Sequence, residues 1–146
     1  MNSTIRFAGA PVKDFPDRKI LRTCLKETAL KKGFQQLCLQ YVFLSDDELL
    51  EMNRKFLGHD DYTDIITFDL SDSENEIEGE IYISRDRIRE NALKFETGVR
   101  AEYARVIAHG LLHLCGLGDK TSSEKQEMRK AEDEFLMEFA RHSGAV

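Results

Sequence analysis

The segment from Val99 to Gly116 constrains the fold of this chain more than any other. Its apolar residues recur at the spacing of an α-helix, and they are Val99, Tyr103, Val106, Ile107, Leu111 and Leu114. Two histidines, His109 and His113, stand four residues apart within this pattern. A helix that is apolar over much of its surface packs against other elements of a core. The segment therefore predicts a packed helix that carries two histidines on one side and ends near Gly116.

Four segments upstream of this helix have the composition of β-strands, rich in β-branched and aromatic residues. They are residues 4–8, 37–44, 63–70 and 79–84. The residues at 37–44 are apolar at both odd and even positions, which predicts a strand covered on both faces. A short linker rich in turn-forming residues separates 63–70 from 79–84, so these two strands are expected to be neighbours in the sheet.

Capping residues and glycines mark the starts and ends of the predicted helices. These signals are Asp17 before and Gly33 after the first helix, the capping box of Ser45 with Glu48, Gly58, Gly98, and a box of Ser123 with Gln126. A charged helix at 85–96 precedes the histidine helix. We predict an α+β fold, a small covered mixed sheet of about four strands with about five helices. Residues 1–146 have the size of a single domain.

The composition argues against several classes of protein. No apolar run approaches the roughly 18 residues of a membrane span, and the N-terminal segment lacks the pattern of a secretory signal. The three cysteines are odd in number and widely spread, which fits a reducing cytoplasm. The net charge of −6 argues against a protein that binds nucleic acid, or another anionic partner, through an overall positive charge.

The histidine helix and the loop after it have the spacing of a metal site. Residues four apart on a helix lie on one face, so His109 and His113 can reach one ion. Gly116 lets the chain reverse, and Asp119 can return as a third ligand. Three protein ligands and an open fourth position are typical of catalytic zinc. The alternative is two histidines satisfied by packing and followed by an ordinary turn, with Asp119 as a cap. Cys115 lies about 200° round the helix from His113, so we expect it to point away from the metal into the packing.

The ligand spacing is similar to that of the metzincin zinc peptidases. In those enzymes a glutamate beside the first histidine is the general base. Here that position is Gly110. The missing carboxylate argues against proteolysis, and the metal itself would then activate water and stabilise charge, which suits phosphodiester cleavage.

Three segments together resemble the YbeY family of endoribonucleases. HGLLHLCGLGD resembles the family signature His-Gly-x-Leu-His-Leu-x-Gly-Tyr-Asp-His, and NRKFLGHDDYTDIITFDL and GEIYISRDRIRENA resemble two further family segments. The resemblance implies a single-strand endoribonuclease with one zinc ion, held by His109, His113 and Asp119, whose coordinated water is the nucleophile. It implies a role in 16S rRNA maturation and ribosome quality control, with ribosomal RNA and the small ribosomal subunit as partners.

The chain departs from the family pattern at two positions. The third ligand of the family is usually histidine, and here it is Asp119, which is also an acceptable zinc ligand. The family arginine is replaced by Leu57, so Arg54, Lys55 and His59 are candidate substrate-binding residues, or else solvated residues at a helix end. Two other functions stay open: a metzincin-like metallopeptidase, and a ribosome-assembly factor without catalytic activity.

Overall fold

The computed structural model describes residues 1–144 and contains four strands and five helices, as the sequence predicted. The strands are β1 (Asn2–Ala8), β2 (Gln36–Leu44), β3 (Ile65–Asp69) and β4 (Glu76–Ser84). The helices are α1 (Arg18–Lys31), α2 (Asp46–Leu57), α3 (Arg85–Lys94), α4 (Val99–Leu114) and α5 (Ser122–His142). Within residues 1–144, no helix combines the length and the apolar character needed to span a bilayer.

The strands form one mixed sheet in the order β1-β2-β4-β3. β1, β2 and β4 run parallel, with Leu39 paired to both Ile5 and Gly79. β3 lies at the edge and pairs only with β4, antiparallel, with Ile66 opposite Tyr82. The predicted neighbourhood of the third and fourth strands is therefore confirmed, and so is the α+β class.

The helical layer covers one face of the sheet, and this corrects the prediction for β2. Leu37, Leu39, Tyr41 and Phe43 are buried in the main hydrophobic cluster, whereas Cys38 between them is exposed. The opposite face is partly covered near the end of β2, where Leu44 lies beside Met52 of α2. The first half of β2 is therefore covered on one face only, and the apolar Val42 and Leu44 near its end are half-buried on the opposite face.

Close contacts fix the histidine helix α4 against the sheet. The Tyr41 hydroxyl donates a buried hydrogen bond of 2.8 Å to the carbonyl of Ile107. A Cβ added to Gly110 would lie 2.9 Å from Cγ2 of Ile81, and one added to Gly79 would lie 2.5 Å from Cδ1 of Leu114. Two glycines, one on each element, thus allow α4 to lie directly on β4.

Most of the predicted helix ends are confirmed, and the start of the last helix is wrong by two residues. Ser45 and Glu48 form the expected capping box, and Gly58 ends α2 with φ of 67°. The box of α5 consists of Thr121 and Glu124 instead of Ser123 and Gln126. Glu124 also accepts a hydrogen bond from the amide of Lys120, an additional contact that favours the earlier start.

Candidate metal centre

An open pocket of about 310 Å³ lies between the start of β3 and the C-terminal end of α4. Its walls come from both elements and from the loop that follows α4. The lining residues are Thr63, Asp64, Ile65, Thr67, His109, His113, Asp119 and Lys120. The three residues that the sequence proposed as metal ligands therefore face one pocket.

Both histidines use their Nδ1 atoms in hydrogen bonds inside the protein. Nδ1 of His113 lies 3.1 Å from the carbonyl oxygen of Leu117, and Nδ1 of His109 lies 2.8 Å from a carboxylate oxygen of Glu132. Carbonyl and ionised carboxylate oxygens only accept hydrogen bonds, so each Nδ1 carries the hydrogen. The lone pair of each ring is then on Nε2, the atom that remains for a metal ion.

The donor set of two imidazole nitrogens and one carboxylate fits zinc. Nε2 of His109 lies 3.4 Å from Oδ2 of Asp119, and the two imidazole rings are nearly parallel with centroids 6.3 Å apart. The three ligand atoms do not all lie within 4.8 Å of one another. To hold one ion, the exposed His113 or Asp119 must therefore turn toward His109.

Within residues 1–144, a different group has three such atoms within 4.8 Å: Glu27, Glu138 and His142 on α1 and α5. Here Nε2 of His142 lies 3.2 Å from Glu27, and Glu138 pairs with Arg141. These contacts already satisfy the three side chains, which lie outside the pocket described above.

The pKa of His109 reflects two opposing effects. Burial lowers it, but the hydrogen bond and negative charge of Glu132 raise it, and the nearby carboxylates of Asp119 and Asp64 add to the increase. The net pKa of His109 is above its ordinary value. The His109 ring therefore binds a proton more strongly than an isolated histidine does, and a metal ion would have to displace that proton.

Glu132 on α5 is a residue of the site that the sequence reasoning missed. It is only 6% exposed, and it contacts both His109 and Arg105. It follows the buried Met128 by four residues and precedes the buried Phe135 by three. A charged residue within an apolar helical stripe was the signal that could have identified it.

Lys120 is a lining residue of the pocket that the sequence reasoning also missed, and it brings a cation to the pocket wall. Its amide donates to Glu124 in the α5 capping box, which fixes the backbone here. Because the helix was predicted to start two residues later, Lys120 was not recognised as part of the turn that carries Asp119.

The three proposed substrate-binding residues are outside the pocket lining. Arg54 pairs with Asp60, Lys55 lines a separate groove beside α2, and the exposed His59 donates its amide to the carbonyl of Asn53. Their role as substrate contacts stays a prediction. Leu57, at the position of the family arginine, is 46% exposed and supplies no charge.

Gly110 lies on the side of α4 that faces the sheet. A Cβ at this position would meet Ile81 and Ile65 at 2.9 to 3.3 Å. A glutamate side chain would clash with these two residues, so this position of α4 has no room for the base of a peptidase. The geometry therefore argues against the peptidase alternative beyond the absence of the glutamate itself.

Comparisons with known proteins identify the family of this chain. The family model described as "Endoribonuclease YbeY" matches residues 9–140. A protein named Endoribonuclease YbeY from Cytophaga hutchinsonii is 52% identical over 119 residues, which cover 82% of this chain and 83% of that protein. One of the same name from Bacteroides thetaiotaomicron is 40% identical over 136 residues, covering 93% and 98%. The solution structure of TM1509 from Thermotoga maritima is 27% identical, covers 97% of this chain and 93% of that one, and superposes with a TM-score of 0.65. The chain belongs to the YbeY family of endoribonucleases.

Proposed function

We propose that this chain is a zinc-dependent endoribonuclease that cuts single-stranded RNA during 16S rRNA maturation and ribosome quality control. The observation that carries the proposal is the orientation of the two histidines, whose Nδ1 atoms are hydrogen-bonded within the protein while Asp119 lies beside Nε2 of His109. Membership of the endoribonuclease family supports RNA as the substrate. We propose that a single domain carries this activity.

We assign a separate role to each of the polar residues that line the pocket. His109, His113 and Asp119 would hold the ion, which when bound acidifies a water molecule and stabilises negative charge on a phosphate oxygen. Lys120 would attract and orient the phosphodiester, in place of the family arginine that Leu57 replaces. Asp64 is a carboxylate on the β3 wall of the same pocket and would accept a proton during cleavage.

The direct test is cleavage of a single-stranded RNA by the purified chain with added zinc. We expect cleavage by the wild type, loss of at least a hundredfold in His113→Ala, and no change in His142→Ala, since His142 lies in the separate cluster on α1 and α5. Equal cleavage by the wild type and His113→Ala would contradict the proposal.

The same preparations distinguish the two alternatives. Metal-dependent cleavage of casein that disappears in His113→Ala would favour a peptidase. RNA binding without cleavage, unaffected by His109→Ala, would favour an assembly factor. Gly110 at the base position opposes the first alternative, and the intact set of ligand residues opposes the second.

Zinc as the native metal, the cytoplasm as the location and the small ribosomal subunit as the partner are parts of the same proposal. Elemental analysis after purification without chelator should find close to one zinc per chain. A content below about 0.2 metal per chain would count against the site. Co-sedimentation with isolated small subunits, at low and moderate salt, tests the partner.

A further inference from the structure

We propose that Glu132 is a positioning residue of the metal centre. Together with Arg105 it holds the His109 ring in the tautomer and orientation that direct Nε2 into the pocket. The inference rests on the proposed function, because it takes His109 as a metal ligand. It assigns a role to a residue that lies 23 positions from that ligand along the chain and on a different helix.

Each oxygen of the Glu132 carboxylate has its own partner. Oε2 lies 2.8 Å from Nδ1 of His109, and Oε1 accepts a hydrogen bond of 2.8 Å from Nη1 of Arg105. The Glu132 side chain is 8% exposed, so little water competes for these contacts. A buried carboxylate is costly unless it is paired and hydrogen-bonded, and here both requirements are met.

Arg105 fixes the carboxylate in turn. It lies four residues before His109 on α4, so the two side chains project from the same face of the helix. Its second terminal nitrogen donates a hydrogen bond of 2.7 Å to Asp133, the residue after Glu132 on α5. Of these two ion pairs the one with Glu132 is buried, whereas the side chain of Asp133 is 55% exposed. Glu132 therefore cannot turn away from His109 without breaking a buried ion pair, and the contact with Asp133 adds little to its position.

The chemical consequence concerns the tautomer of His109. An ionised carboxylate only accepts, so it requires a hydrogen on Nδ1 and leaves the lone pair on Nε2. His113 obtains the same result from the carbonyl of Leu117. Hydrogen bonds of this kind to metal-binding histidines orient the ring and make it a better ligand, and their removal typically weakens metal binding about 10-fold to 100-fold.

Glu132→Gln tests this role because it preserves shape while removing the charge. The guanidinium of Arg105 can only donate, so the glutamine oxygen faces Arg105 and the amide NH₂ faces His109. Nδ1 must then accept, which moves the hydrogen to Nε2. The tautomer that binds metal through Nε2 is disfavoured, although the ring stays in place.

The experiment compares the wild type, Glu132→Gln and Asp133→Asn, all as full chains. Asp133→Asn is the matched control, because it removes the other carboxylate of Arg105 without touching His109. Zinc affinity is measured by competition with a chromophoric chelator. The tautomer of His109 in the metal-free protein is read from long-range nitrogen–proton NMR correlations.

We expect zinc binding about 10-fold to 100-fold weaker in Glu132→Gln, a shift of its His109 toward the Nε2-protonated tautomer, and wild-type values for Asp133→Asn. Wild-type affinity and tautomer in Glu132→Gln would overturn the proposal, and so would equal losses in both variants. If circular dichroism finds Glu132→Gln unfolded, Glu132→Asp replaces it. That variant keeps the charge for Arg105 but shortens the reach to His109, and the same loss of affinity is expected.

The outcome is separable from that of the proposed function. A wild type that binds zinc, loses affinity in Glu132→Gln and cuts no RNA would refute the endoribonuclease proposal and support the role of Glu132. A wild type that cuts RNA with zinc while Glu132→Gln binds zinc equally well would do the reverse.

Discussion

Two adjacent residues give the pocket opposite charges. Asp119 lies beside His109, and Lys120 lines the same wall at the start of the α5 capping turn. A metal site with a carboxylate ligand has one positive charge fewer than a site with three histidines, and the lysine restores it nearby. In the proposed site, the loop after α4 would supply the charge that attracts a phosphate, whereas the family pattern would supply it from the segment around Leu57.

Lys120→Ala should weaken RNA cleavage without affecting zinc binding. A hydrogen bond to a charged group contributes about 1.5–3 kcal/mol, so we expect a fall in kcat/KM of roughly 10-fold to 100-fold. Steady-state cleavage of a short single-stranded RNA measures it. Lys125→Ala, on the exposed surface of α5, is the control. Equal activity of the two variants would exclude Lys120 as a phosphate contact.

The sequence identified the proposed ligands but not their support, and the reason is physical. His109 and His113 are brought to one face by the spacing of the helix, and the turn at Gly116 returns Asp119 to the same pocket, so local geometry alone places the three residues. Glu132 reaches His109 only because α5 packs on α4, which no local spacing encodes. Contacts between segments that are distant in sequence can be read only from the folded structure.

At the level of elements, the site depends on how closely α4 lies on the sheet. Gly79 and Gly110 lack the side chains that would keep α4 away from the sheet. The hydrogen bond from Tyr41 to Ile107 fixes the distance between the helix and the sheet. The pocket forms where the end of this helix meets the start of β3. The position of α4 relative to the sheet therefore sets the distance between the two walls of the pocket.

Gly110→Ala should destabilise the protein although alanine is the better helix former. The new Cβ would lie 2.9 Å from the stiff Cγ2 of Ile81. Overpacking of this kind costs about 1–3 kcal/mol, against about 1 kcal/mol gained in helix propensity. We expect a net loss of about 1 kcal/mol in urea unfolding. Unfolding free energy equal to or above that of the wild type would disprove this contact.

Glu102 on α4 should make stability fall as the pH rises. Burial raises the pKa of its carboxyl, Arg105 and Arg129 lower it, and Glu132 and Asp64 raise it further, with a net pKa above the ordinary value. A carboxyl with a raised folded-state pKa favours the folded state at low pH. That contribution is present below the ordinary carboxyl pKa of about 4.3 and is lost as the pH passes the folded-state value.

Glu102→Gln should remove this dependence. Urea unfolding at pH 4 and pH 7 measures it: we expect the variant to gain stability relative to the wild type at pH 7, and less at pH 4, where the wild-type side chain is largely neutral. Glu127→Gln, exposed on α5, is the control. If the unfolding free energy of the wild type is lower than that of Glu102→Gln by the same amount at both pH values, ionisation of Glu102 is not the cause.

The elements themselves were largely predictable from the chain. Ser45 and Glu48 marked the start of α2, and Gly58 its end, because capping is a local interaction. The coverage of β2 was not predictable, since the apolar Val42 and Leu44 do not reveal how much of their face α2 covers, and the position of α2 is set by the whole fold. The sequence near residue 121 offers two overlapping capping boxes, Thr121 with Glu124 and Ser123 with Gln126. The additional contact of Glu124 with Lys120, which appears only in the structure, favours the first.

On the scale of the whole molecule, the net charge of −6 conceals an uneven distribution. Glu76, Glu78 and Glu80 alternate along β4 with core residues, so their side chains lie on the face of the sheet opposite α4. The pocket, by contrast, carries Lys120 and would carry the metal ion. We infer that an RNA strand approaches from the pocket side, and that its binding weakens as salt concentration rises.

Removal of the metal should lower the thermal stability of the whole chain. Zinc at 100 times its Kd stabilises the folded state by about 2.7 kcal/mol, which for a chain of this length corresponds to roughly 5–10 °C in Tm. Differential scanning fluorimetry with zinc or with EDTA measures the shift. His113→Ala should lose most of it, and an undiminished shift in that variant would assign the zinc to another site, such as Glu27, Glu138 and His142.

The edge position of β3 gives the pocket two walls of unequal rigidity. The α4 wall is held by the core and by α5, but the other wall carries Asp64, which directly precedes β3, and Thr67 on β3, a strand with one neighbouring strand. Backbone amides of such strands exchange with solvent through local opening, at a lower free-energy cost than those of a central helix. We therefore expect the pocket to widen by displacement of β3 when a long polymer enters, while His109 and His113 stay in place on α4.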